Sequence, residues 1–483
     1  DEERYRRSLV ERRYTKPIEL FDRHLYQKGA LVLHMLRQEL GDALFWKAIR
    51  HYARKHQFQN VETADFKIAI EEATGAHLDA FFDQWVYGAG FPDLEATWSW
   101  EADAGATRLQ VRQTQSGAPF AFGLEIELGF GRRSERRRVR IDAATQTFFL
   151  ATPKPPRWVR IDPDHVLLAR RKCEQGRDAW LAQLATADFL AQAEAAAGLP
   201  RFAPDADVLS ALAAALGRVR FFAARRAIAA ALGRWGGADA RGHLQGALAR
   251  ERDLRARRGI VRALGEFRHD ADVARTLAAT WKREKSYFVR AEIAAAVARI
   301  AAPGAFEFLV AATRIDSFRD VVRVAALRGL AELEDERGID AILPWARRGH
   351  SRFTRDAALR ALAVLGRAFP ARGRPVQDVL ETALASESFF AVLAAAEALG
   401  RLGRVQAAPA LRRLAERDVD GRLQRAARDA AALLTETATP DAWRSLRAEM
   451  DTLRLENRTL RERLDRVEHQ VVSRAAAPRK RSG

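Results

Sequence analysis

Arg225-Arg-Ala-Ile-Ala-Ala-Ala-Leu-Gly233 returns 32 residues later as Arg257-Arg-Gly-Ile-Val-Arg-Ala-Leu-Gly265. The pattern then runs on through Arg258, Arg290, Arg323 and Arg355, at spacings of 32, 33 and 32, and through Leu365-Gly366 and Leu399-Gly400. An insertion at Pro370–Pro375 accounts for the one longer interval. Alanine, leucine and arginine at helical spacing make paired helices, and no single pair can bury its own apolar face. Stacking at a fixed period therefore predicts an α-solenoid, here a HEAT-type array of about six or seven repeats over 205–440. A recurrent arginine at one helix position reads either as a binding column or as a bond to a neighbouring carbonyl or carboxylate that holds adjacent repeats in register. The second reading is favoured, because stacked helix ends always present unpaired carbonyls.

Towards the N-terminus the array is preceded by 173–204, a connecting helix around Asp178–Ala197 and a break at Pro200–Pro204. Residues 97–172 change from helical period to period two. Leu109, Val111 and Gln113 alternate with Gln110 and Arg112, and Leu124, Ile126 and Leu128 with Glu125 and Glu127. With further strands expected at Arg138–Ile141, Thr147–Leu150 and Trp158–Ile161, this is a small antiparallel β-sandwich. Residues 1–96 read as helices. Gln27–Leu40 is apolar nearly all round, which suits burial on several sides, and Gly41 supplies its left-handed end. Asp42, Thr63 and Asp79 stand where the N-caps of the following helices are expected.

Beyond the array, Trp443, Met450, Asn457, Leu464 and Val471 fall on heptad position a, and Leu446, Leu453, Leu460 and Val467 on d. The g and e residues pair in opposite sign, as Glu449 with Arg454 and Glu456 with Arg461, and a lone Asn at a favours two strands. The expectation is a coiled coil over 441–473 forming a parallel homodimer through Leu446, Leu453, Asn457, Leu460 and Leu464, followed by a disordered basic tail at 474–483. The fold class is thus mainly α, with one small β domain.

Across its 483 residues the chain carries 81 Lys+Arg against 63 Asp+Glu, a net charge of +18. The excess is spread thinly, and residues 1–96 are slightly acidic. The densest cluster, Arg132, Arg133, Arg136, Arg137, Arg138 and Arg140, lies between two strand-like runs without aromatic side chains on which bases could stack, so nucleic acid is not the expected partner. No run of eighteen apolar residues offers a membrane span. A single cysteine, Cys173, excludes an internal disulfide and leaves the redox compartment open. In its Arg-Lys-Cys-Glu context, which reads as a loop, it is no candidate nucleophile. None of the ten histidines precedes a glutamate, so the helical His-Glu-x-x-His of zinc-activated water cannot occur. His51 and His56 point to different helix faces and read as solvated. Gly-x-Ser-x-Gly and phosphate-cradling loops are absent too.

One set of spaced pieces carries further. His24-Leu-Tyr26-Gln-Lys28-Gly29-Ala-Leu-Val-Leu-His34 is followed in order by Leu40-Gly41-Asp42, Phe81-Phe-Asp-Gln84-Trp85-Val86 and Gly90-Phe-Pro92. Together they resemble the aminopeptidase N family of zinc metallopeptidases. The resemblance implies that 1–96 is the helical C-terminal part of a thermolysin-like catalytic domain and 97–172 the sandwich that follows it. It implies that Tyr26, on the family's Tyr-x-Lys-Gly motif, is catalytic and donates a hydrogen bond to the oxyanion formed on a peptide substrate. Gln27 stands where the family more often has Glu. The family's zinc motif, its downstream Glu and its Gly-x-Met-Glu-Asn segment are not in these residues. Zinc is therefore expected in a longer parent and not on this chain alone, whose ligands would lie upstream of residue 1. Loss of the catalytic half is the other explanation, and it would leave a non-catalytic repeat scaffold binding a protein partner. The longer parent is favoured, since half a thermolysin-like core leaves a large apolar face exposed.

Overall fold

The computed structural model describes residues 6–14, 17–131, 133–386 and 388–436. The heptad segment 441–473, with Leu446, Leu453, Asn457, Leu460 and Leu464, lies outside the described residues, as do the tail 474–483 and Arg132. The chain divides between Ala305 and Phe306 into two compact units. It is mainly helical with a small sheet region. No described helix is long and apolar enough to cross a membrane.

The first unit opens with α1 (Gly29–Leu40), α2 (Asp42–Lys55), α3 (Thr63–Thr74) and α4 (Asp79–Phe82). A π-helical turn, His24–Lys28, leads into α1. Only one side of α1 is covered, by Val32, Met35 and Leu36, while Ala30 and Leu33 face solvent. This corrects the expectation of burial on several sides. Gly41 has a positive φ of 76° but a ψ of 158°, so it reverses the chain without forming a left-handed helical cap. The three expected caps also differ. Asp42 is the first residue of α2 and bonds Arg37 at 2.7 Å, and Asp79 is the first residue of α4 and pairs with Lys67. Thr63 yields its place to Glu62, because Asp65 reaches back to the Glu62 amide and closes a capping box.

Seven strands follow among the described residues: β1 (Asp93–Glu101), β2 (Ala106–Gln113), β3 (Phe122–Gly129), β4 (Ser134–Ile141), β5 (Thr145–Ala151), β6 (Trp158–Ile161) and β7 (Arg170–Cys173). They form two sheets, ordered β5-β2-β1-β7 and β4-β3-β6. All pairs are antiparallel except β1 with β7, which run parallel with Asp93 opposite Arg170, so the sandwich is not purely antiparallel. Alternation places Leu94, Ala96, Leu109 and Val111 of one sheet and Leu124, Ile126 and Leu128 of the other in a single core, which α1 and α4 share through Met35, Leu36 and Phe82. Gly129 lies under the Trp158 ring, which occupies the space a Cβ would need. Arg136, Arg137, Arg138 and Arg140 sit on β4 itself, not between strands. Arg136 pairs with Asp164, Arg137 with Glu135 and Arg138 with Glu39.

The expected connecting helix is two, α5 (Arg177–Leu184) and α6 (Phe189–Gly198), because Asp188 caps α6 through the Ala191 amide. Arg160 of β6, almost wholly buried, bonds Glu127 at 3.0 Å and Glu194 of α6 at 2.7 Å. That buried ion network fastens the sandwich to α6. Helix pairs continue the unit: α7 (Ala206–Arg218) with α8 (Phe222–Trp235), α9 (Gly237–Arg250) with α10 (Leu254–Leu264), and α11 (Ala271–Arg283) with α12 (Tyr287–Ile300). Helices α6, α8, α10 and α12 pack in succession.

The second unit comprises α13 (Ala305–Ala312), α14 (Val321–Glu332), α15 (Arg337–Ile342), α16 (Arg352–Ala368), α17 (Gly373–Leu384), α18 (Phe389–Leu402), α19 (Ala408–Arg417) and α20 (Gly421–Glu436). Here α14, α16, α18 and α20 pack in succession. Gly400 of α18 explains the recurrent Leu-Gly. A Cβ there would stand 3.0 Å from the Ala430 Cβ of α20, so glycine permits the close approach of the two helices.

The arginine column joins helix ends. Within the first unit, Arg225 bonds the Val219 carbonyl at 3.2 Å and Glu251 at 2.9 Å, and Arg257 bonds the Glu251 carbonyl at 3.4 Å and Glu284 at 2.6 Å. Within the second, Arg323 bonds the Thr313 carbonyl at 2.7 Å and stacks on Trp345, and Arg355 bonds the Ala346 carbonyl at 3.1 Å and Ser386 at 2.9 Å. Each cation ties the end of its own pair's first helix to the end of the next pair's. Arg258 is not of this column. It lies one position on, 3.6 Å from Glu292, and Arg257 holds the equivalent place.

Candidate functional site

The turn that carries Tyr26 is built from segments far apart in sequence. Asp22 caps it, with Oδ1 accepting the amides of His24 at 2.9 Å and Leu25 at 3.1 Å. Arg7 grips the same carboxylate through two bonds, Nε to Oδ2 at 3.0 Å and Nη2 to Oδ1 at 2.7 Å, a fork that fixes orientation as well as position. His24 is buried, with Nδ1 3.1 Å from Asp22 and Nε2 3.4 Å from the Arg7 amide, so the geometry favours the tautomer protonated at Nδ1. Lys28 is only 9% exposed, and its ammonium donates to the carbonyls of Arg7 at 3.2 Å and Gly88 at 3.3 Å. Burial, aided by the nearby Arg7 charge, lowers its pKa to about 8.

Tyr26 points the other way. Its side chain is 57% exposed, with its ring centre 5.9 Å from that of Phe21, itself 62% exposed. Among the described residues its hydroxyl has no hydrogen-bond partner. Leu25, Leu33, Leu44 and Trp46 add further exposed apolar surface on this segment. A phenol at the end of a rigid turn can donate one hydrogen bond to an oxygen on which charge develops. On the inner side of the turn lies a cavity of about 590 Å3, bordered by Arg6, Arg23, Gln27, Phe91 and Arg170, and Tyr26 is not part of its lining.

The remaining motif pieces position this turn. Gln84 exchanges two hydrogen bonds with Ala121, at 2.7 and 3.0 Å, and Trp85 packs on Phe120 with ring centres 5.3 Å apart, so the end of the helical segment is docked on the sandwich. The Gly90-Phe-Pro92 piece follows at once, with Gly90 at φ 84° and Phe91 buried between the guanidinium groups of Arg6 and Arg170. The Arg7, Asp22 and Gly88 partners of the turn were not singled out by sequence reasoning. They lie at the edge of the motif or outside it, and only the buried-lysine position in Tyr-x-Lys-Gly hints that a carbonyl acceptor is needed.

Other candidates resolve differently. His51 bonds Glu72 at 2.9 Å. His56 is not fully solvated, since its Nε2 is buried without a partner. Cys173 ends β7 rather than lying in a loop, and burial pushes its thiol up to about 12, which removes nucleophilic character at neutral pH. Among the described residues no three His, Cys, Asp or Glu side chains converge as a metal requires. These residues do not fit a zinc site.

Residues 3–85 match the Peptidase family M1 domain. Aminopeptidase N of Lactococcus lactis subsp. lactis is 40% identical over 78 residues, 16% of this chain and 9% of that protein. Glutamyl aminopeptidase of Bos taurus is 26% identical over 167 residues, 34% of this chain and 18% of that protein. The chain thus spans less than a fifth of either curated relative. The crystal structure of Legionella pneumophila aminopeptidase A in complex with aspartic acid superposes with a TM-score of 0.57 at 14% identity, covering 88% of this chain and 58% of that one. The N-terminal segment is therefore similar in sequence to peptidase family M1, and most of the chain is similar in fold to a solved aminopeptidase.

Proposed function

We propose that this chain is the C-terminal portion of a zinc-dependent aminopeptidase that removes N-terminal residues from peptides, with Tyr26 as its oxyanion donor. The observation that carries the reading is the turn itself. Lys28, Asp22 and Arg7 lock it from the inside, and the lock leaves a phenol exposed amid apolar side chains that a preceding stretch of catalytic domain would cover. The match of residues 3–85 to a peptidase family supports the same reading. The zinc ligands belong, in this account, to polypeptide preceding residue 1.

The helix pairs of 205–440 are read as a HEAT-type α-solenoid, supported by the arginines and glycines that recur at the pair joints. The heptads of 441–473 are read as a parallel homodimer. A scaffold without activity is the other class of reading, and one assay separates the two. The full-length gene product is given a fluorogenic aminoacyl amide and its N-acetylated counterpart. Turnover of the unblocked substrate alone is expected, and Tyr26→Phe lowers kcat by about 100-fold or more with folding unchanged. Equal turnover by that variant removes the role of Tyr26, and no turnover by the wild type removes the enzyme.

A further inference from the structure

The second unit carries a feature that catalysis does not use. Phe318 and Arg319 precede α14, Arg352 and Phe353 begin α16, Phe389 and Phe390 begin α18, and Arg422 is the second residue of α20. These side chains stack on one another in sequence. The Arg319 guanidinium lies 5.2 Å from the Phe318 ring centre and 5.8 Å from Phe353; Arg352 lies 4.6 Å from Phe353 and 4.2 Å from Phe390. Phe390 contacts Phe389 at 5.3 Å, and Arg422 lies 4.0 Å from Phe389. A ladder of rings and guanidinium groups, broken only by the Phe389–Phe390 ring pair, thus runs across the starts of four successive second helices. Phe318 and Phe390 are exposed, as are Arg319 and Arg352.

Its charge is only partly met. Arg422 pairs with Asp420, and Asp316 and Asp320 are taken by Arg323. Arg319 and Arg352 form no ion pair among the described residues. A guanidinium flat on a ring keeps its N–H edge outward, where it suits a carboxylate. The positive ends of the α14, α16, α18 and α20 dipoles point to the same edge.

We propose that this ladder is a docking surface for an acidic, extended polypeptide segment in the polyproline II conformation. The spacing selects that conformation. Packed helices stand roughly 8–10 Å apart, and three residues of polyproline II rise about 9 Å and return to the same face. Two carboxylates three residues apart therefore meet Arg319 and Arg352 at the starts of the neighbouring helices α14 and α16, while the residues between lie on Phe318 and Phe390, as proline-rich segments lie on aromatic grooves. A β-strand with the same rise would turn alternate side chains away.

The test is binding of fluorescent synthetic peptides to the 483-residue chain. A peptide of repeated Asp-Pro-Pro is expected to bind saturably. Arg319→Ala with Arg352→Ala should weaken it by about tenfold or more, in keeping with the loss of two charge-assisted contacts. The double variant Arg328→Ala with Arg401→Ala removes the same charge from exposed sites off the ladder and should leave affinity within about twofold. Phe318→Ala, at an exposed position, should weaken binding while leaving the circular dichroism unchanged. The proposal is overturned by no saturable binding, by equal loss in the two double variants, by tighter binding of a Lys-Pro-Pro repeat, or by tighter binding of an oligothymidine, which would make the surface a nucleic-acid platform.

Discussion

Lys28 couples the site to pH. Its pKa is lowered from 10.5 to about 8 by burial and by Arg7. Between those values the unfolded chain holds a proton that the folded chain has released, so folding stability rises as pH climbs from about 8 to 10.5. Lys28→Met abolishes that dependence. Denaturant unfolding at pH 7 and at pH 10 should show wild type gaining over the variant by up to about 3 kcal/mol. A constant difference between the two would mean that Lys28 is not desolvated. Tyr26 is the counter-case: it is exposed and without a hydrogen bond among the described residues, so its substitution should leave stability unchanged, and in the proposed role it should lower turnover.

Between elements, the joints carry the fold. Arg355 is buried and links the Ala346 carbonyl to Ser386. Arg355→Ala leaves the buried Ala346 carbonyl without its partner and removes one of the two bonds to Ser386 Oγ, which keeps the Ser388 amide, and should cost about 1–3 kcal/mol, while Arg347→Ala, at an exposed position nearby, stays within about 0.5 kcal/mol. Thermal unfolding of the two variants decides whether the column holds register or is merely decorative. Elements were legible where pattern and packing agree, as in β2 and β3, where Leu109, Val111, Leu124, Ile126 and Leu128, read from alternation, are all buried. They were illegible where partners are remote. β7 is three cations and a cysteine, and only its parallel pairing with β1 makes it a strand. β1 begins at Asp93, four residues before the period change at Thr97, since Leu94, Glu95 and Ala96 suit a helix equally well. The exposed side of α1 could not be read from a segment apolar all round. The aromatic ladder was missed because the segments that supply it are more than thirty residues apart and only stacking brings them together.

For the whole molecule, residues 3–85 are similar to a peptidase domain and most of the chain shares its fold with a solved aminopeptidase, while the heptads of 441–473 are proposed as an assembly device. The last is open to direct test. Sedimentation of a 441–473 peptide should give a dimer, and Asn457→Leu should relax it to mixed oligomers, because a buried Asn at a selects two strands at a cost in stability. A monomer in both forms would remove the dimer. The central claim, that these residues complete a zinc aminopeptidase whose ligands precede them, is tested most directly by sequencing the coding DNA upstream of the Asp1 codon. The account predicts an in-frame His-Glu-x-x-His with a further Glu about twenty residues on. A stop codon and a start next to Asp1, with no such motif, would contradict it.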